Sequence, residues 1–242
     1  MPSAPQTLTV FAAASLNDAF REIGQAFEKS QAGVQVQFNF SGSQDLSTQL
    51  QAGAQADVFA SANMEEMGHL VDAGLVAADA PQVFIQNRLV VILPPQNPAG
   101  LSTLADLARP GLKLVLAAED VPAGKYARQA LQSLNAVYGA DFEMYVLASL
   151  VSNETNVRQV VTKVSLGEAD AGIAYQSDIV AVPGLKTIDV PAEYNVTAEY
   201  PIAPLKQAAH PRQADDFIRF VLSAEGQAIL KRWGFIPITA QP

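Results

Sequence analysis

Along this chain the hydrophobic pattern switches sharply between strand-like runs and helical spacing, and small polar residues mark the switches. Leu8, Val10 and Phe11 form a compact apolar run, and from Leu16 the apolar positions Leu16, Ala19, Phe20, Ile23 and Phe27 fall at helical intervals. The pattern predicts a buried strand, a turn through Ala12-Ala13-Ala14-Ser15, and an amphipathic helix. Val34-Gln35-Val36-Gln37-Phe38-Asn39-Phe40 then alternates as a strand should, and Ser41-Gly42-Ser43 opens a second helix carrying Leu46 and Leu50. Ala56 to Ala62 reads as a third short strand, and Met64 to Ala73 as a helix stopped by Gly74. The order βαβαβα predicts an α/β fold with a parallel sheet and a ligand crevice at the carboxyl ends of its strands.

The same grammar continues beyond a change near residues 85–88, where a domain crossover is expected. Leu89 to Leu93 reads as a strand and Leu104 to Ala108 as a short helix. Lys113 to Ala117 is again strand-like, leading through Val121-Pro122-Ala123-Gly124 into a helix with Pro122 in its first turn. Met144-Tyr145-Val146-Leu147-Ala148 reads as a further strand, with Ser152 to Arg158 opening a helix that bears Val157, Val160, Val161 and Val164. Ala169 to Ala174 is a compact strand of small residues with Tyr175 near its carboxyl end. Leu185 to Val190 and Val196 to Ile202 are extended but bounded or broken by Pro183, Pro191, Pro201 and Pro204, which suits an edge strand or return linker. Two amphipathic helices, Gln213 to Leu222 and Ala224 to Trp233, end the pattern.

Composition narrows the function classes. The chain has 242 residues, 49% of them hydrophobic, enough for a full core, and a formal net charge of −9 that argues against a nucleic-acid partner. It has no cysteine, and its two histidines, His69 and His210, match no metal-ligand spacing, so thiol chemistry and zinc have little to work with. Met1 to Gln6 shows no basic segment followed by an apolar core, and the apolar runs are far short of a membrane span.

The strand-to-helix junctions carry the candidate chemistry. A helix N-terminus presents backbone N–H groups and the positive end of a dipole, and a serine hydroxyl adds a donor, so such a turn binds anions without a cation. Ser15 reads either as a helix cap, with Asp18 as a weaker partner, or as one donor of an anion site. Ser41 and Ser47 read as a cap and a solvated helix residue, and Asp18, Asp45 and Glu154 as first-turn carboxylates. Lys125 and Arg158 read as surface or ion-pair residues, Phe11, Phe38, Phe40 and Phe59 as core, and both histidines as surface. A serine-dependent enzyme lacks a base near either serine and a Gly-x-Ser-x-Gly elbow. An effector-sensing domain would need a DNA-binding segment that does not precede Leu8.

Taken together, Val10-Phe11-Ala12-Ala13-Ala14-Ser15-Leu16, Ser41-Gly42-Ser43, Gln51-Ala52-Gly53-Ala54-Gln55-Ala56-Asp57-Val58-Phe59, Val121-Pro122-Ala123-Gly124-Lys125-Tyr126-Ala127, Gly172-Ile173-Ala174-Tyr175-Gln176-Ser177-Asp178 and Arg232-Trp233-Gly234-Phe235 resemble, in this order, the periplasmic molybdate-binding proteins of ABC transporters. The resemblance runs from Leu8 to about Ile238. It implies the class II periplasmic-binding-protein fold, with two lobes of mostly parallel sheet flanked by helices and a ligand cleft between them. The first lobe would comprise residues 1–86 and 200–242 and the second residues 87–199, with hinges near 85–88 and 197–202. It further implies that Ser15 and Ser43 supply side-chain and backbone donors, Ala123 and Val157 backbone N–H groups, and Tyr175 its hydroxyl. Asn156 stands before Val157 where the family often has an acidic residue. The implied ligand is molybdate or tungstate, with metal entering only as the oxyanion and no resident cofactor. Sulfate or another small anion is the alternative. Permease subunits of an ABC importer are the implied partners of a monomer that closes by hinge rotation, in the periplasm or tethered outside the membrane.

Overall fold

The computed structural model describes residues 6–238; Met1 to Pro5 and Thr239 to Pro242 lie outside the described residues, and with them most of the N-terminal stretch read above for a leader. The chain divides into two compact units, the described parts of Met1–Gln86 with Glu199–Pro242, and Asn87–Ala198.

In the first unit, β1 (Gln6–Ala13) leads through a 3₁₀ turn (Ala14–Leu16) into α1 (Asn17–Ser30), followed by β2 (Val34–Ser41), α2 (Ser43–Gln51), β3 (Val58–Ala60) and α3 (Met64–Asp72). Strand β1 pairs in parallel with both β2 and β3, as the βαβ pattern predicts. A central parallel strand covered on both faces must be apolar throughout. Leu8, Val10 and Ala12 are fully buried, and Phe11, pointing the other way, joins a cluster with Leu46, Leu50, Phe59, Met67 and Leu70 beneath α2 and α3. Burial of each such large side chain is worth about 1.5–3 kcal/mol. Phe38 and Phe40, expected in the core, are only partly buried because β2 ends the strand order; they stack at 5.1 Å, with the Arg21 guanidinium 5.4 Å from the Phe40 centroid.

The chain leaves this unit within β4 (Gln82–Leu93), a twelve-residue strand. In the second unit a 3₁₀ turn (Leu104–Ala108) precedes β5 (Leu114–Ala117), α4 (Pro122–Tyr138), α5 (Phe142–Leu147), β6 (Leu150–Glu154), α6 (Val157–Ser165), β7 (Ala171–Tyr175), α7 (Gln176–Val180) and β8 (Lys186–Asp189). Strand β5 is parallel to β6 and β7, whereas β4 runs antiparallel to β7 and β8. The small residues of β7 have a reason: a Cβ on Gly172 would come within 2.8 Å of Val160 Cγ1, so α6 lies almost on the strand backbone.

The sequence misplaced one strand here. Met144 to Ala148 is not extended: it falls in and just after α5, which buries Phe142 and Val146 four residues apart and leaves Met144 and Tyr145 exposed. The strand is instead Leu150–Glu154, so Ser152 to Glu154 belongs to β6 and the following helix opens only at Val157.

The chain returns to the first unit within β9 (Thr197–Pro204) and ends in α8 (Pro211–Leu222) and α9 (Ala224–Arg232). The expected return thus falls here, but despite its prolines β9 is a buried strand and no exposed edge: it pairs antiparallel with β3, and Ala198, Tyr200, Ile202 and Ala203 are fully buried. Helix α8 closes the face opposite α2 and α3, where the Phe217 ring meets Phe20 at 6.0 Å and Phe27 at 5.3 Å, edge to face. Buried Asp57 fastens this end, accepting the Thr9 N–H at 2.8 Å and the His210 N–H at 2.8 Å. His210 is therefore not a plain surface histidine; its Nδ1 lies 3.7 Å from the same carboxylate.

Candidate functional site

Each unit gathers its candidate donors at the carboxyl edge of its parallel strands. In the first unit the register Ala13↔Ser41 aligns the ends of β1 and β2, and Ser15 and Ser43 each follow two residues later. Both serines are buried, at 6% and 1% exposure. Ser43 is the first residue of α2, whose N-cap, Gly42, makes no side-chain cap bond, so the positive end of the helix is not covered by a capping side chain. The Asp45 carboxylate in that first turn accepts the Ser41 hydroxyl at 2.9 Å. Ser47 is buried and accepts from the Gln51 amide rather than facing solvent.

Ser15 does not cap a helix. Neither the 3₁₀ turn nor α1 has a side-chain cap hydrogen bond, and the Ser15 hydroxyl instead lies 2.9 Å from the Tyr200 hydroxyl, within the same unit. Ser43 Oγ accepts the N–H of Ala62 at 3.0 Å. Ala62 follows β3, so the third parallel strand also contributes to this edge, with Asn63 capping α3 by accepting the Glu66 N–H at 3.1 Å. The sequence reading missed Tyr200 and Ala62.

In the second unit the register Ala117↔Glu154 aligns the ends of β5 and β6, and β7, parallel to β5, ends at Tyr175. Ala123 stands in the first turn of α4, where the N-cap Val121 makes no side-chain cap bond and Pro122 carries no N–H. Backbone approach is close: a Cβ on Gly124 would lie 2.0 Å from the Ala118 carbonyl oxygen. Arg128 ties these parts together, donating to the Ala117 and Gly124 carbonyls at 3.0 Å each and to Asn153 Oδ1 at 2.8 Å. Val157 is the first residue of α6, capped by Asn156, whose side chain accepts the Gln159 N–H at 3.2 Å. Tyr175 is 1% exposed and its N–H donates to Asp178 Oδ2 at 3.2 Å.

The carboxylates at these edges are engaged by the protein. Glu154, at the end of β6 rather than in a helix first turn, accepts from Lys163 Nζ at 2.6 Å and from the Ser152 hydroxyl. Asp178, fully buried, lies 3.5 Å from Arg158 Nη1, so Arg158 is an ion-pair residue. The structure thus places Ser15 with Ser43 on one unit, and Ala123, Val157 and Tyr175 on the other, each set at one sheet edge. Such sets of hydroxyl and first-turn N–H donors can hold an oxyanion. They are poorly equipped for nucleophilic catalysis, since the neighbour of Ser15 is a phenol and that of Ser43 a backbone amide, neither of them a base. Among the described residues, no group of three or more His, Cys, Asp or Glu side chains could hold a metal ion, and no helix is long and apolar enough to cross a membrane.

The chain is 38% identical over 231 residues to the molybdate-binding protein ModA of Mycobacterium tuberculosis (strain H37Rv), covering 95% of this chain and 84% of that one. It is 33% identical over 235 residues to the molybdate-binding protein ModA of Escherichia coli (strain K12), covering 94% and 88%. Among solved structures, the periplasmic molybdate-binding protein of Azotobacter vinelandii superposes with a TM-score of 0.84 over 96% of this chain and all of that one at 20% identity, which bears out the two-lobed binding-protein fold. A family model of bacterial extracellular solute-binding proteins matches residues 8–236, and the chain belongs to that family of binding proteins.

Proposed function

We propose that this protein binds molybdate, and also tungstate, one anion per monomer, and delivers it, from the periplasm or from an anchor outside the membrane, to the permease subunits of an ABC importer. One observation carries the ligand class: the candidate positions offer hydroxyl and N–H donors, while the neighbouring carboxylates of Asp45, Glu154 and Asp178 are occupied by Ser41, Lys163 with Ser152, and Arg158. Molybdate and tungstate are fully deprotonated dianions near neutral pH, so each of their oxygens accepts. Hydrogen phosphate carries a proton that needs an acceptor, and leaving it unpaired in a buried site costs about 1–3 kcal/mol. Each charge-assisted bond contributes about 1.5–3 kcal/mol, so a handful of neutral donors holds a dianion tightly without a cation. The names of the two ModA relatives point to the same ligand.

Calorimetric titration with molybdate, tungstate, sulfate and hydrogen phosphate tests this reading. Tight binding of the first two is expected. Heat from none of the four would overturn the oxyanion reading, and sulfate binding as tight as molybdate would overturn molybdate as the preferred ligand.

A further inference from the structure

Ser15 and Ser43 share a feature that bears on how an anion is held. A serine hydroxyl has one proton and two lone pairs, so a neighbour that donates to it takes one lone pair and leaves the proton for a ligand. At Ser43 that neighbour is the Ala62 N–H, 3.0 Å away and able only to donate. One Ser43 lone pair is thereby used and its proton is directed elsewhere. At Ser15 the neighbour is the Tyr200 hydroxyl at 2.9 Å, and either group could donate. A phenol, with a pKa near 10, is a far stronger acid than an aliphatic alcohol, so the favoured arrangement has Tyr200 donating and Ser15 accepting. Tyr200 is fully buried in β9, its ring edge-on to Phe84 at 6.5 Å and to Phe235 at 5.6 Å, so the phenol is held in place behind the serine.

We propose that Tyr200 is a positioning residue for the anion: its buried phenol donates to one lone pair of Ser15 Oγ and so, as the Ala62 amide does at Ser43, leaves the serine proton to be given to the ligand. A fully deprotonated oxyanion is matched by such a hydroxyl. This proposal rests on the oxyanion function given above and adds a residue that the ligand itself need not touch.

The test is a double-mutant cycle on the full chain with molybdate as probe, comparing wild type, Ser15→Ala, Tyr200→Phe and the double variant. Tyr200→Phe keeps the ring packing and removes only the hydroxyl. It is expected to weaken molybdate binding by about 5- to 30-fold in the wild-type background, the scale of one hydrogen bond, and by less than about twofold in the Ser15→Ala background. A loss of the same size in both backgrounds, or no loss in either, would overturn the proposal. Wild-type protein that binds none of the oxyanions would overturn the function itself, and that result is distinct because it appears before any variant is made.

Discussion

At the scale of single residues, Ser15 and Ser43 look alike in the sequence but sit in different electrostatic company. Replacing either by alanine removes one hydroxyl donor, and each variant is expected to lose about tenfold to a hundredfold in molybdate affinity by calorimetry. Their stabilities should part. Ser43→Ala also leaves the buried Ala62 N–H without the acceptor it has at 3.0 Å, so it should lower unfolding free energy by about 1–3 kcal/mol in denaturant titration. Ser15→Ala removes a partner from a phenol that can rotate its proton, and should cost less. Unchanged affinity in both variants would mean that the serines are structural only. Ser15, Ser43 and Tyr175 stand at or just beyond the ends of strands that the hydrophobic pattern marks, so their place at the sheet edges was legible in the sequence. Tyr200 was not, because its partner lies 185 positions away and its own segment, broken by Pro201 and Pro204, carries no helical or alternating signal.

At the scale of elements, the junction between β5 and α4 is the tightest. Alanine at 124 would put a Cβ 2.0 Å from the Ala118 oxygen and 2.3 Å from the Ala117 oxygen, both backbone atoms that cannot swing aside. Gly124→Ala is expected to push the first turn of α4 off the strand, costing about 1–3 kcal/mol of stability and weakening anion binding through the displaced Ala123 N–H. A variant with wild-type melting temperature and affinity would contradict the close approach. The 3₁₀ turn at Leu104–Ala108 offers a pH test. Asp106 accepts the N–H groups of Ser102 at 2.9 Å and Thr103 at 2.8 Å, and these bonds lower its pKa to about 2. Because the folded value lies below the unfolded one, near 4, the stabilisation is complete above that unfolded value and is lost as pH falls towards 2. Asp106→Asn should therefore melt below wild type at neutral pH, with the gap closing between about pH 4 and 2; a gap of constant size would refute the assignment. Sequence pattern read β1 to α3 correctly because their apolar positions are dense and periodic. It failed at Met144 to Ala148, where a short run rich in β-favouring residues packs as a helix through Phe142 and Val146. It failed also at β6, which closes the strand order, so its alternation of half-buried and exposed positions leaves little apolar signal.

For the whole molecule, a net charge of −9 opposes the approach of a dianion that the site itself attracts with neutral donors. Salt screens the long-range repulsion with a Debye length of about 10 Å at 0.1 M and leaves short buried hydrogen bonds largely untouched. The association rate for molybdate in stopped flow should thus rise with ionic strength while the dissociation rate changes little. A falling association rate would reveal a basic approach path that outweighs the global charge. The overall architecture was readable from the succession of βα units, whereas the pairing of β9 with β3 depended on chain brought back from more than a hundred residues away, beyond the reach of any local pattern. The course of the chain also orders events in time. The second unit is one uninterrupted segment, Asn87–Ala198, but the first needs both Met1–Gln86 and Glu199–Pro242. A polypeptide is made from its N-terminus, so the second unit has all its strands and helices while the first still lacks β9, α8 and α9. Until β9 arrives, β3 has an open edge, Phe20 and Phe27 wait for Phe217, and Ser15 has no phenol beside it. The half of the molecule that begins first is the half that matures last, and the phenol that orients its serine is among the final parts the growing chain acquires.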